Sequence, residues 1–148
     1  IRKIDTNGTV TTIAGNGKHV NAGDGGPALK ASIRHMDYLK VSPQGELHIV
    51  GMNANTIRKI TKDGKMVRVA GNGYQGYSGD GGAATSAMLK SPLAIAFDSK
   101  NNMYITDMGN NRIRKVDAKG TISTFAGTGN FGWAQDGETV EIYLHNFP

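Results

Sequence analysis

The feature that most constrains this chain is a repeat that recurs every 56 residues without a gap. The tetrapeptide Ile-Arg-Lys-Ile at residues 1–4 returns at 57–60 and, with valine in the last place, at 113–116. Single glycines, Ala-Gly pairs and Asp-Gly pairs recur at the same spacing: Gly8, Gly64 and Gly120; 14–15, 70–71 and 126–127; 24–25, 80–81 and 136–137. A gapless period of about 50 residues is typical of β-propeller blades, whereas helical repeats have periods of about 33 to 47 residues.

Within one period the sequence predicts four short strands. They are expected at 93–98, 103–106, 112–116 and 121–125 in the third copy, and near 38–41, 46–50, 57–61 and 66–69 in the second. Asn and Gly in the intervening turns supply the positive φ that hairpins require. We therefore expect an all-β fold, in which antiparallel four-stranded meanders form about two and a half blades of a larger propeller.

The repeat also predicts how the chain is organised. Residues 1–35 hold the two outer strands of a half blade plus a linker, 36–91 a complete blade plus a linker, and 92–148 a complete blade plus a linker, with the next blade missing. The linkers carry an acidic glycine-rich turn and an Ala-rich stretch, which predict one or two helical turns with Asp80 near the N-cap and Pro27 near the first helical position. A propeller has about 4 to 8 blades, so we expect further blades of the same protein, or other chains, to complete the ring.

Two blocks carry a resemblance to a known family. Residues 71–82, Gly-Asn-Gly-Tyr-Gln-Gly-Tyr-Ser-Gly-Asp-Gly-Gly, and residues 105–116, Ile-Thr-Asp-Met-Gly-Asn-Asn-Arg-Ile-Arg-Lys-Val, resemble the NHL repeat in its long-linker form. The resemblance covers essentially the whole chain. It implies a propeller, typically six-bladed, that serves mostly as a binding or scaffolding module and is extracellular or on the cell surface. The second copy departs from the pattern at 51–56, where we expect the turn to lose its usual hydrogen bonds.

The candidate ligand-binding residues lie in the linkers 16–35, 72–91 and 128–147 and in the turns 51–56 and 107–112, which a meander blade places on one face. Aromatic rings beside Asn and Asp can bind a sugar or a peptide. The candidates are Tyr74, Tyr77, Phe131, Trp133, Asn110 and Asn111. The alternative is structural, with each ring covering its own linker. We expect a protein or glycan ligand.

A second set of candidates is basic. The pairs Arg2-Lys3, Arg58-Lys59 and Arg114-Lys115 recur on the third strand of each copy, and 17 Lys and Arg against 12 Asp and Glu leave a net charge of +5. A basic belt around the ring would contact nucleic-acid phosphates. No aromatic side chains interleave with these pairs, so nucleic acid is not the favoured partner. Structural pairing with Asp98, Asp107 or Asp117 is the alternative.

Metal and catalytic signals are weak. Asp24, Asp80 and Asp136 recur in glycine-rich loops, but each loop offers one carboxylate where a calcium site needs several, so neither a metal nor a cofactor is predicted. The four His fall at unrelated positions of the copies, and there are no Cys. We expect a non-enzymatic module, with a fragment of a propeller lyase or hydrolase as the alternative. No apolar run approaches the roughly 20 residues of a membrane span, so membrane insertion is not expected.

Overall fold

The chain forms short antiparallel sheets, as seen in a computed structural model that describes residues 1–131. The strands of this range are β1 (Arg2–Ile4), β2 (Val10–Thr12), β3 (Tyr38–Val41), β4 (Leu47–Gly51), β5 (Thr56–Ile60), β6 (Met66–Ala70), β7 (Pro92–Phe97), β8 (Met103–Asp107), β9 (Arg112–Val116) and β10 (Ile122–Ala126). One-turn 3₁₀ helices span Ala28–Lys30, Ala84–Ser86 and Met108–Asn110.

The sheet order follows the chain. Strands β3-β4-β5-β6 and β7-β8-β9-β10 form two four-stranded meanders, and β1 pairs with β2 in a two-stranded sheet. Neighbouring strands are antiparallel throughout, with Ile49 opposite Arg58 and Ile105 opposite Arg114 at equivalent positions of the two meanders. The prediction of an all-β fold built from four-stranded antiparallel meanders is confirmed, with strand ends within about one residue of those expected.

Each apolar core lies between one sheet, the linker that follows it, and the next sheet. One cluster joins Val50 and Ile57 of the β3–β6 sheet, Leu89 of the linker, and Ile105 and Ile122 of the β7–β10 sheet. All five of these side chains are fully buried. Burying a side chain of this size contributes about 1.5–3 kcal/mol, so the sheets stabilise one another chiefly through these shared clusters.

In the two linkers that the structure describes in full, 16–35 and 72–91, the middle pairs with the outer strand of the sheet that follows. The amides of Gly81 and Ala84 donate to the carbonyls of Ile122 and Gly120, at 2.8 and 2.9 Å. The equivalent bonds run from Gly25 to Met66 and from Ala28 to Gly64, at 2.7 and 2.8 Å. The linker is therefore an additional, irregular edge of the next blade rather than a free connection.

The two described linkers have one helical turn each, within the one or two turns predicted, but the predicted cap is wrong. The Ala-rich stretches form single 3₁₀ turns whose N-caps are Pro27 and Ala83, and neither turn has a side-chain cap. The expectation that Asp80 lies near an N-cap is wrong, because its carboxylate is held by an arginine, as described below. Backbone pairing with the outer strand limits the helix to one turn. Within residues 1–131, no helix has the length and apolar character that a bilayer crossing requires.

Candidate binding site on the linker face

The linker 72–91 meets the turns of two neighbouring sheets on one face, and we call this face, with residues 16–35, 72–91, 51–56 and 107–112, the linker face. The Asn110 side chain donates to the Gly76 carbonyl at 2.8 Å, and the Lys90 amide donates to the Asp107 carboxylate at 2.7 Å. A further bond joins the Ser91 amide to the Asn55 side chain at 3.0 Å. The linker face is thus held together by side chains of the turns.

A buried arginine organises the face in the third copy. Arg114 is 0% exposed, and its guanidinium donates to the carboxylates of Asp80 at 2.6 Å and Asp107 at 3.2 Å. It also donates to the carbonyls of Ser78 and Met88, at 3.1 and 3.3 Å. One side chain on β9 therefore fixes both ends of the linker.

The two carboxylates have opposite pKa shifts. Burial raises the pKa of Asp107, and hydrogen bonds from Asn110, Lys90 and Arg114 offset that rise only in part. Burial also acts to raise the pKa of Asp80, but hydrogen bonds from Thr124, Arg114 and Tyr77 outweigh it and hold that pKa below its usual value. Asp80 is therefore the firmly ionised partner of Arg114 at neutral pH.

The second copy repeats this arrangement with one carboxylate fewer. Arg58 donates to Asp24 at 2.7 Å and to the carbonyls of Ser32 and Ala22 at 2.9 and 3.0 Å. The residue at the position of Asp107 is Gly51, so no second carboxylate faces this arginine. Arg68 adds a second cation, with its Nε 3.3 Å from Asp24.

For Arg58 and Arg114 these contacts favour the structural pairing over a basic belt. Successive side chains of a strand point to opposite faces, so Arg58 and Arg114 face the preceding linkers, and the lysine that follows each of them faces away. Arg58 and Arg114 are buried and cannot reach a phosphate. Lys59 binds Glu46 at 2.7 Å, and the Lys115 ammonium lies 5.9 Å from the Tyr104 ring centre. The basic pair on β1, Arg2-Lys3, is exposed. Of the predicted structural pairings, Arg114 with Asp107 is present.

Tyr77 fills the third-copy site. The guanidinium of Arg112 stacks on its ring, with the Arg112 Cζ 3.9 Å from the ring centre. The Cζ of Arg114 lies 4.8 Å from the same centre. The Tyr77 hydroxyl donates to Asp80 at 3.0 Å and lies 2.9 Å from the Thr124 hydroxyl. Tyr77 therefore closes the space between linker and turn in this copy.

The same space is open in the second copy. The residues at the positions of Tyr77 and Arg112 are Asn21 and Thr56, whose side chains are too short to fill it. A cavity of about 280 Å³ remains. Its walls are polar and charged: Asn21, Asp24, Arg34, Asn53, Thr56, Arg58, Arg68 and Asn72, with Ala54 and Gly73. We call this cavity the second-copy pocket.

The turn beside this pocket, residues 51–56, keeps more of its hydrogen bonds than expected. The amide of Asn55 still donates to Met52, as that of Asn111 does to Met108, so the turn keeps its backbone bond. The amide of Met52 gains a bond to Asp37 at 2.8 Å. What the second copy lacks are the side-chain bonds of Asp107 and Asn110, since Gly51 and Ala54 stand at those positions.

The remaining candidates fall into three groups. Tyr74 and Phe131 are 71% and 64% exposed, respectively. The Asn110 and Asn111 amides instead bind linker carbonyls, Gly76 at 2.8 Å and Gly129 at 3.3 Å. The others lie outside the described residues: Trp133 and Asp136. In the part of the chain that the structure describes, no three His, Asp or Glu side chains converge as metal ligands would.

One buried histidine lies elsewhere, between the two meanders. His48 packs edge-on against Phe97, with ring centres 4.8 Å apart, and its Nδ1 lies 3.1 Å from the Glu46 carbonyl. Burial lowers the pKa of His48, so the ring is neutral at pH 7. These contacts make His48 part of the packing between blades.

The sequence is similar to proteins that contain NHL repeats. The family model of the Teneurin NHL domain matches residues 72–137. Teneurin-3 of Danio rerio is 32% identical over 142 residues, an alignment that covers 86% of this chain and 5% of that protein. NHL repeat-containing protein 2 of Bos taurus is 31% identical over 134 residues, which cover 83% of this chain and 18% of that protein.

Solved structures show the same architecture. A protein of unknown function from Bacteroides thetaiotaomicron VPI-5482 superposes with a TM-score of 0.62 at 25% identity, over 82% of this chain and 29% of that one. A virginiamycin B lyase from Staphylococcus aureus superposes with a TM-score of 0.50 at 20% identity, over 84% of this chain and 33% of that one. This chain thus spans less than a fifth of either curated relative and no more than about a third of either structure.

Proposed function

We infer a non-catalytic binding function for this chain, since it belongs to the NHL-repeat β-propeller family. The proposed ligand is a protein or a glycan that docks on the linker face. The observation that carries this proposal is the second-copy pocket, an open polar cavity of about 280 Å³ at the position that Tyr77 and Arg112 occupy in the third copy. Concave sites with a few convergent polar groups are where proteins hold ligands.

An exposed aromatic residue next in the chain to a pocket-lining glycine supports the same face. Tyr74 directly follows Gly73, which lines the pocket, and its backbone amide is fixed by the Asn72 side chain at 2.9 Å. The ring itself is 71% exposed. A fixed backbone that carries an exposed ring presents an apolar contact surface to a ligand at small entropic cost. Tyr77, in contrast, serves the structure of the linker.

Catalysis is not part of the proposal. The likeness to the lyase lies at 20% identity and therefore concerns the fold alone. In the part of the linker face that the structure describes, the carboxylates with perturbed pKa values, those of Asp80 and Asp107, are engaged with Arg114. Their arrangement is that of an ion-pair network that holds a linker in place.

A protein and glycan array tests the binding function. We expect the wild-type chain to retain a ligand and the Tyr74→Ala variant to retain it about tenfold less strongly, as loss of one contacting ring costs on the order of 1–2 kcal/mol. Lys100→Ala is the control, since Lys100 is exposed in the turn at the opposite end of the sheets. If Tyr74→Ala and a variant with a filled pocket both bind as wild type does, the linker face is not the binding surface.

Two further properties belong to the same proposal. We propose an extracellular or cell-surface location, and a ring completed by further blades of the same protein or by other chains. Large apolar side chains remain exposed on the first two sheets, among them Ile4 at 68% and Val41 at 58%, which neighbouring blades would cover. Light scattering tests the second point. A cooperatively folded particle of 15.7 kDa, the mass of one chain, would contradict it.

A further inference from the structure

Equivalent positions of the two described linker sites differ in one respect that concerns ligand binding. In the third copy the space is filled by the stacked side chains of Tyr77 and Arg112. In the second copy Asn21 and Thr56 leave it open. The middle of the linker makes equivalent bonds to the outer strand in both copies, whereas Ala22 pairs with Ser32 in the first linker and Gln75 with Leu89 in the second. The open pocket therefore lies within the same fold and combines changed side chains with a local change in backbone pairing.

The open pocket carries an excess of positive charge. Its walls hold three arginines, Arg34, Arg58 and Arg68, and one carboxylate, Asp24, so their formal charge is +2. Arg58 and Arg68 share that single carboxylate. Within residues 1–131, no carboxylate pairs with the Arg34 guanidinium, which lies exposed at the wall. One planar cation is thus left without a counter-charge beside an open cavity.

We propose that the second-copy pocket binds a carboxylate-bearing sugar, a hexuronic acid unit of a glycan, with Arg34 as the main contact of the carboxylate. This inference rests on the proposed binding function and names the ligand class of the same face. A guanidinium presents parallel N–H donors that match the two oxygens of a carboxylate, which favours this anion over a neutral group.

The rest of the wall suits a polyol better than an apolar ligand. Three amide side chains, those of Asn21, Asn53 and Asn72, line the pocket, and each amide can donate to or accept from a hydroxyl. Ala54 contributes the one apolar side chain of this wall. A volume of about 280 Å³ is at the lower end of small-molecule pockets and suits one sugar ring. Tyr74, which follows the pocket-lining Gly73 and is 71% exposed, offers a ring on which a sugar face can pack.

Calorimetric titration of the full chain at low salt with D-glucuronate tests this inference. D-glucose is the neutral comparison, and a short Glu-containing peptide is the comparison for a carboxylate without a sugar. We expect glucuronate to bind at one site per chain and to bind at least tenfold more tightly than either comparison. In Arg34→Gln the affinity for glucuronate should fall about tenfold or more, as loss of a charge-assisted hydrogen bond predicts.

Matched variants separate the pocket from general surface charge. Lys100→Gln removes one exposed charge at the opposite end of the sheets and should leave glucuronate affinity unchanged. The double variant Asn21→Tyr, Thr56→Arg installs the third-copy side chains and should abolish binding by filling the cavity. Its circular dichroism and melting temperature should match the wild type, because the third copy accommodates the same pair.

The reverse variant tests the role of charge. Tyr77→Asn with Arg112→Thr opens the third-copy site, which keeps Arg114 but has Lys90 at the position of Arg34 and Thr124 at the position of Arg68. We expect glucuronate stoichiometry to remain at one, since this second cavity lacks the arginine excess. A second site of equal affinity would show that an empty space suffices, and it would overturn the assignment to the arginines.

The outcomes distinguish this inference from the proposed function. Equal binding of glucose and glucuronate, or preference for the acidic peptide, overturns the acidic-sugar assignment while a binding function on the linker face stands. No glucuronate binding together with an array ligand that the filled-pocket variant still retains overturns the inference alone. If glucuronate does not bind, and no array ligand depends on Tyr74 or on the pocket, both the inference and the proposed function are overturned.

Discussion

Removal of the buried arginine should destabilise the third copy more than the second. In Arg114→Ala the carboxylate of Asp107, which is 0% exposed, loses its cation and keeps only hydrogen bonds from Lys90 and Asn110. Breaking a buried pair in this way costs about 3–5 kcal/mol. In Arg58→Ala the carboxylate of Asp24, which is 31% exposed, can be hydrated and keeps its ion pair with Arg68. The stability lost is then mainly that of the Arg58 hydrogen bonds to two carbonyls, about 1–2 kcal/mol.

Urea unfolding followed by far-ultraviolet circular dichroism measures this difference. With a slope of about 1.5 kcal/mol per molar urea, a difference of about 2 kcal/mol separates the two midpoints by about 1.3 M. The double variant Arg114→Ala, Asp107→Ala supplies the control, because removal of both partners leaves no unpaired buried charge. It should be more stable than Arg114→Ala alone. Equal midpoints for Arg114→Ala and Arg58→Ala would refute the assignment of the larger cost to Asp107.

Four further predictions concern single residues. Burial raises the pKa of Asp107, so the folded chain binds protons more tightly than the unfolded chain does, and this group lowers the free energy of unfolding as the pH rises above about 4. Asp107→Asn should remove this pH dependence, as measured by urea unfolding at several pH values. Hydrogen bonds that outweigh burial lower the pKa of Asp80, so its contribution is lost below about pH 4, and Asp80→Asn should abolish that acid-dependent loss. Gly79→Ala should cost several-fold more stability than Gly81→Ala, because both have positive φ but only a Cβ at Gly79 would lie 2.7 Å from Ala87. Tyr77→Ala should lower the melting temperature more than Tyr74→Ala, because only the Tyr77 ring stacks on arginines.

The strands were predictable because two local signals agree with the tertiary structure. Alternating apolar residues and turns rich in Asn and Gly recur at fixed spacing, and a copy such as 92–126 can be read by comparison with its neighbour. The same pattern implies that Arg114 and Lys115 point to opposite faces of their strand. The basic-belt hypothesis placed both residues of each Arg-Lys pair on one surface and so did not take account of this alternation, which the sequence contains.

The site was less predictable, because the path of the linker decides it. The substitution of Asn21 and Thr56 for Tyr77 and Arg112 is visible at the 56-residue spacing. Only the fold shows that the two positions of each pair touch, since they lie 35 residues apart in the chain. The Asp80 prediction failed for a related reason: helix capping is a local rule, and the contact with Arg114 is not local.

Because the described linkers pair with the sheet that follows them, the structural repeat unit begins with a linker and not with the first strand of a sheet. Contacts group residues 71–126 as one cassette, in which the linker comes first and β10 comes last. Both ends of this cassette fall between an alanine and a glycine, at Ala70-Gly71 and at Ala126-Gly127. Gene duplication or deletion at these junctions adds or removes a blade together with the segment that seals its edge. Chimeras spliced there exchange ligand-facing loops while the linker bonds to Arg114 and to the outer strand stay within the transplanted cassette.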